Sequence, residues 1–210
     1  LALTNYSELQ SDIADWINRS DLSSKIPTFI ALAEAQINRD VRHWRMETRS
    51  SGQQSAADEY MQLPADWVET IRLHVTDSGT STVNLISRDA MADKRQGNND
   101  SSGTVVSYTH ADGQIQLYPT PSAETNLELL YYAKVPALSD SNTTNWLLTE
   151  APDIYLYGSL LPSAPYLEED ERATTTWAQF YAAAVQQLNQ ASDQARYSGS
   201  GLRLKIRGLG

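Results

Sequence analysis

Cysteine is absent from this 210-residue chain, which excludes disulfide bridges and thiolate metal sites. Basic charge is scarce: 16 Lys and Arg stand against 26 Asp and Glu, for a net charge of −10. Such a chain is a poor candidate for binding nucleic acid through phosphate neutralisation, which needs cationic side chains to displace condensed counterions. No apolar run approaches the roughly 20 residues that cross a bilayer, and no basic, apolar and small-residue series marks a secretory signal. The expectation is a soluble protein made in a cytoplasm, with no membrane partner. Phenylalanine is nearly missing, with 2 residues against 11 Tyr and 5 Trp. Tyr and Trp join an apolar ring to a polar group, so they suit protein interfaces and half-exposed core positions equally.

What is present has length enough for one good core, or for a helical core with a small β unit. Its charge is unevenly spread. Residues 197–210 hold Arg203, Lys205 and Arg207 and no acid, so this end carries +3 while residues 1–196 carry −13, which together make the −10.

Asn5 followed by Glu8 has the spacing of a capping box. It opens an amphipathic helix over 5–19 with Tyr6, Leu9, Ile13, Trp16 and Ile17 on one face. Asp21 to Ser24 read as a turn, and Pro27 suits the first turn of a second helix. The stripe of that helix runs Ile26, Ile30, Ala33, Ile37, Val41 and Trp44. From Glu47 the helical period stops, and residues 48–59 are polar and interrupted by Gly52. A strand near Tyr60 and further strands at Val68–Val75, Thr82–Ile86, Val105–Thr109, Gln114–Tyr118 and Leu127–Ala133 follow. Asp112-Gly113 supplies the positive φ angles of a tight hairpin, and KRQGNNDSSG at 94–103 reads as a flexible loop.

Beyond a connector holding a buried-looking Trp146, a helix opens at Thr149, with Glu150, Pro152 and Asp153 in its first turn. A break at Pro162–Tyr166 leads to a last helix that begins in Glu168, Glu169, Asp170 and Glu171. There Trp177, Tyr181, Ala184, Leu188, Ala191 and Ala195 form the seam of a packed helix, with Trp177 and Leu188 expected in the core. SGSG at 198–201 breaks it. Leu202, Leu204 and Ile206 then alternate with Arg203, Lys205 and Arg207, the period of a strand with one dry face.

Little of this points to catalysis. Paired carboxylates can cleave glycosides when they face each other across a cleft and one is held protonated. Four consecutive acids at a helix start instead stay solvated and favour the helix dipole. His43, His74 and His110 show no metal-ligand spacing. Gly199-Ser200-Gly201 begins like a phosphate loop, but Leu204 stands at the third glycine position, so it reads as a hinge. Arg39, Arg42, Arg45 and Arg49 could form a basic stripe, but Asp40 and Glu47 interrupt it, and salt bridging between subunits is an equal reading. No catalytic, cofactor or metal residue is assigned.

The segment Tyr131–Trp177 carries the most specific pattern: strand, ALSD, NWLL, helix, APYL, acidic helix start. It resembles the head-to-tail adaptor (connector) proteins of short-tailed bacteriophages. ALTNYSELQSDIADWINRSDL, IPTFIALAEAQINRDVR, YMQLPADWVETIRL and DGQIQLYPTP extend the likeness in order through most of the chain. The pattern sets a β unit between two helix pairs. The resemblance implies an α+β fold: a helical bundle of N-terminal and C-terminal helix pairs, an inserted antiparallel β domain and an extended C-terminal tail. The divisions are 1–47, 48–146, 147–197 and 198–210.

It further implies a structural virion protein without enzymatic activity or cofactor, made in the host bacterial cytoplasm and sited at the head–tail junction. Such proteins form a ring of about twelve copies beneath the portal protein. The ring extends the DNA channel, through which DNA passes without specific binding, and carries tail nozzle and fibre proteins. Leu202, Arg203, Leu204, Lys205, Ile206 and Arg207 are the expected portal-binding residues, unstructured until the portal is met. Two other classes remain open. A tail-associated peptidoglycan hydrolase would clear a suspension of purified peptidoglycan, and a generic cytoplasmic protein-binding module would stay monomeric with or without portal.

Overall fold

The computed structural model describes residues 3–97, 102–167 and 171–197. In chain order the elements begin with α1 (Tyr6–Ile17), a 3-10 turn at Ser20–Lys25, and α2 (Ile26–Asp40). Strands β1 (Glu47–Gln54), β2 (Tyr60–Gln62), β3 (Trp67–Val75) and β4 (Ser81–Leu85) precede α3 (Arg88–Gly97). Then come β5 (Ser102–Gly103), β6 (Ser107–Ala111), β7 (Gln114–Tyr118), β8 (Thr120–Pro121) and β9 (Thr125–Ala133). The chain closes with α4 (Trp146–Glu150), α5 (Pro152–Leu160), α6 (Ala164–Leu167) and α7 (Glu171–Tyr197). The fold is α+β and divides into two compact units, Leu1–Trp44 with Val135–Gly210, and Arg45–Lys134.

In the helical unit, Asn5 caps α1 by accepting the Glu8 N–H at 3.0 Å. The Glu8 carboxylate turns to the Thr4 N–H and hydroxyl, at 2.8 and 2.7 Å. The Glu8 carboxylate thus bonds chiefly to Thr4, with smaller contributions from Asn5. Tyr6, Leu9, Ile13 and Ile17 are buried, but Trp16 is 51% exposed. At 3.6 residues per turn Trp16 lies about 60° round from Ile13, on the flank of the stripe. Trp44 is likewise exposed. Val41 is already extended, with φ −89° and ψ 132°, so the helical period ends before Trp44.

The centre of this unit is α5, which packs against α1, α2 and α7. Its Ile154, Tyr155, Leu156, Gly158, Ser159 and Leu160 are all buried. A Cβ at Gly158 would sit 3.2 Å from the Tyr181 ring and 3.4 Å from the Ala33 methyl, so the close crossing there favours glycine. Along α7 the buried residues are Trp177, Tyr181, Val185 and Ser192. Leu188 is only half-buried, and Ala191 and Ala195 are exposed. A strict seven-residue seam drifts by about 20° per heptad round a straight helix, so the expected seam leaves the core while Val185 and Ser192 keep to it.

Two further expectations give way here. The helix after the connector begins at Trp146, because Asn145 Oδ1 accepts the Leu148 N–H at 2.8 Å. Thr149 lies inside it, its hydroxyl bonded to the Asn145 carbonyl. The connector 135–145 goes with the helices. The Asn38 side-chain oxygen accepts the Val135 N–H at 2.9 Å, and Glu34 Oε1 accepts the Leu138 N–H at 2.7 Å.

Burial raises the pKa of the Glu34 carboxyl, against the lowering effect of its hydrogen bonds from Leu138 and Tyr155. An acid raised in the folded state costs stability once ionised. The cost is absent below the ordinary carboxylate range and complete above the raised value. Glu34→Gln keeps an acceptor for the Leu138 N–H and removes the charge. The variant should melt above the parent at about pH 7 and with it at about pH 3. A melting difference that did not change with pH would show that ionisation is not its source.

In the β unit a seven-stranded sheet has the order β1-β9-β3-β4-β6-β7-β2, and β5 pairs with β8. Thr125, Leu127, Leu129 and Tyr131 alternate along β9 and are buried, and β9 lies antiparallel between β1 and β3. Asp112 and Gly113 join β6 to β7 with φ angles of 51° and 73°, the left-handed pair that a two-residue hairpin turn requires. The sheet is mostly, not wholly, antiparallel, since β4 and β6 run parallel.

A parallel pair needs a crossover, and α3 lies in that connection. Residues 94–97 are thus helical, not loop: Met91 is buried, the Ser87 hydroxyl accepts the Ala90 N–H, and Arg95 pairs with Glu59. Residues 98–101 of the expected loop lie outside the described residues. The polar stretch from Glu47 is β1, an edge strand in register with β9. Its polarity suits a sheet edge that must not recruit other chains.

Candidate functional site

Two of the three histidines pack against aromatic rings. His43 is buried and stacked on half-buried Trp146, with ring centroids 5.0 Å apart and planes 21° apart. His110 lies 5.4 Å from Trp67 and 5.7 Å from Tyr108. Burial, with the nearby Arg88 charge, lowers its pKa, so the neutral ring is favoured. Among the described residues no group of three or more His, Cys, Asp or Glu is placed to hold a metal ion. Of the acids that precede α7, Glu168, Glu169 and Asp170 lie outside the described residues. No described helix is long and apolar enough to cross a membrane.

The arginines divide between the two units, Arg39 and Arg42 in one and Arg45 and Arg49 in the other. Arg42 donates to the carbonyls of Asn38 and Val41 at 3.1 and 2.7 Å, closing the C-terminal end of α2, where a cation meets the negative end of the helix dipole. Arg39 is exposed on α2, whereas Arg49 lies on β1 in the other unit.

Two surface features of the helical unit stand out. The first is aromatic. Trp16 on α1 meets Tyr157 on α5 edge-on at 6.1 Å, and Tyr157 meets Phe180 on α7 at 5.2 Å. Trp16 is 51% and Phe180 49% exposed. Three helices thus present one continuous aromatic patch to solvent, the composition found where proteins meet proteins. Trp16 reads from the sequence as core, and Phe180 lies off the expected seam of α7. An apolar aromatic one turn beyond Trp177 and off that seam is the only sequence signal for the patch.

The second feature is a groove between α2 and α7 of about 530 Å³, lined in part by Asp40, Leu161, Ala178, Ala182, Val185 and Asp193. Its wall is set by α7 side chains holding the end of α2. The Tyr181 hydroxyl donates to Asp40 Oδ2 at 3.1 Å, and burial, then the Asp40 charge, raises its pKa. Asn189 donates to the Asp40 carbonyl and accepts the Arg42 N–H. The Ser192 hydroxyl accepts the Trp44 N–H at 2.9 Å. No spacing in the sequence announces this groove, because its two sides are about 140 residues apart in the chain.

The expected portal-binding residues Leu202, Arg203, Leu204, Lys205, Ile206 and Arg207 all lie outside the described residues. No curated protein matches the chain. The family model for the SU10 adaptor protein matches residues 4–204. That match takes in both compact units and nearly every residue of the chain, and the protein therefore belongs to the SU10 adaptor family of phage head-to-tail adaptors.

Proposed function

We propose that this adaptor is a structural ring protein of the virion, about twelve copies strong, seated beneath the portal, extending the DNA channel and attaching tail nozzle and fibre proteins. The observation that carries this reading is the family match across residues 4–204. In it the N-terminal and C-terminal helices make a bundle that builds the ring. The segment 202–207 anchors the subunit on the portal, with Leu202, Leu204 and Ile206 on its dry face and Arg203, Lys205 and Arg207 on the other. The net charge of −10, repeated around a ring, repels DNA and lets it slide without specific binding.

A closed ring is built from head-to-tail contacts, so each subunit needs two different complementary surfaces. The patch of Trp16, Tyr157 and Phe180 is suited to be one of them. Mass photometry of the protein alone should give a monomer, and with cognate portal a ring. Replacing Trp16 and Phe180 together by serine should cost less than about 1 kcal/mol of stability, because both are half exposed, while preventing closure of the ring. Full rings from the double variant would remove the patch from the interface. No association with portal by the parent protein would overturn the adaptor assembly proposed here.

A further inference from the structure

We propose that the aromatic patch of one copy seats in the groove between α2 and α7 of the next, so that these two features are the two halves of one head-to-tail contact. The inference rests on the ring reading above and names the surface that meets the patch. Helix α7 carries part of each half. Phe180 meets Tyr157 of α5 at 5.2 Å, whereas Ala178 and Ala182, each two residues from Phe180, line the groove. Two residues turn a helix through about 200°, so this wall of the groove stands about 160° round α7 from Phe180. Trp177 and Tyr181, at angles between the two, are buried and hold the helix to its unit. Because patch and groove lie on opposite sides of α7, a twofold dimer cannot make both contacts at once. A ring needs two different surfaces that face nearly opposite ways. For about twelve copies round an axis along α7, the two faces stand about 150° apart.

Shape and chemistry agree with this pairing. Ala178 and Ala182 are small and exposed, with Val185 and Leu161 beside them. The groove volume of about 530 Å³ is in the range that encloses a drug-sized molecule, so it has room for aromatic rings. Trp16 and Phe180 are about half exposed and are the rings free to enter it. One turn from Phe180, Thr176, Ala183 and Ala184 carry no charge, so that side of α7 brings no carboxylate to Asp40 and Asp193 in the groove. Asp12 lies one turn before Trp16, and its like charge opposes the contact at low salt. The area involved is small. A half-exposed ring has about 100 Å² left to bury, so two rings with the surface they cover remove about 400 Å² from water. Specific stable pairs bury at least about 1,200 Å². One such contact therefore leaves the free protein monomeric, and closure requires copies gathered on the portal.

The absence of cysteine makes the test direct. Thr176→Cys, one turn before Phe180, and Gln186→Cys, in the groove, are placed in one chain; both positions are exposed. They lie about 15 Å apart along α7, too far for a disulfide within the chain, which needs Cα atoms less than about 7 Å apart. Oxidised on cognate portal, the double variant should give a covalent ladder of dimers, trimers and higher multimers, at least about tenfold above the dimer from either single variant. Ala182→Arg fills the groove from an exposed position. It should leave the melting temperature within about 3 °C of the parent and prevent ring closure with Trp16 and Phe180 intact. A dimer from Thr176→Cys alone would show the patch meeting itself and overturn the proposal. So would rings of the double variant that give no ladder, or full rings from Ala182→Arg; either result leaves the adaptor assembly standing. No ring from the parent protein would overturn both.

Discussion

Deleting residues 199–210 should abolish association with the portal while moving the melting temperature by less than about 3 °C. Among the described residues α7 is held through Trp177, Tyr181 and Val185, all buried, and through Ser192 against the Trp44 N–H. The deletion removes Leu202, Leu204 and Ile206 from any partner surface. Burying an aliphatic side chain contributes about 1.5–3 kcal/mol, and an extended segment adds backbone hydrogen bonds when it joins a sheet edge or lies in a groove. Three such side chains correspond to a change of several orders of magnitude in Kd. Repetition round a ring multiplies the difference. Sedimentation or mass photometry of portal with the truncated protein checks it. If the truncated protein still saturates portal with unchanged affinity, the helical unit carries the contact and the tail is not the anchor.

Tyr155→Ala should cost about 3–5 kcal/mol in urea unfolding, a large share of the roughly 5–15 kcal/mol that stabilises a domain. Tyr155 is the largest fully buried side chain of the chain's described core. Its hydroxyl accepts from the Asn145 amide at 2.7 Å and reaches Glu34 Oε1 at 3.5 Å. Asn145 in turn caps α4 and donates to the Pro136 carbonyl at 2.7 Å. Truncation to alanine thus opens a cavity beside α2 and leaves a buried amide without one partner. Tyr155→Phe keeps the ring and should cost only about 1–2 kcal/mol, the contribution of the hydroxyl. If alanine and phenylalanine cost the same, the polar network and not the packing governs this site. A cost below about 1 kcal/mol for alanine would contradict its burial.

Features that depend on neighbours in the chain are legible in the sequence. Asn5 caps a helix because the donor it accepts from, the Glu8 N–H, is three residues away, and the Asp112-Gly113 turn follows from the backbone freedom of two adjacent residues. Tyr6, Leu9, Ile13 and Ile17 share a face by the helical period alone. The ordered pattern from Tyr131 to Trp177 is enough to point to the adaptor family. Features that depend on distant partners are not legible there. Nothing in the polar run from Glu47 alternates, and it is a strand because β9 offers it hydrogen bonds.

Residues 94–97 join a helix because Met91 finds a buried site and Arg95 finds Glu59, far off in sequence. Trp16 has the spacing of a core residue, and only the width of the surface covered by its neighbours left it exposed beside Tyr157. The sequence by itself thus determined the Asn5 cap, the hairpin turn, the stripe from Tyr6 to Ile17 and the family, all set by short spacings or ordered pattern. The tertiary structure alone decided the parallel pairing of β4 with β6, the aromatic patch and the groove between α2 and α7. Each of these is a meeting of surfaces whose residues lie far apart along the chain, and its energy comes from which surface each one meets.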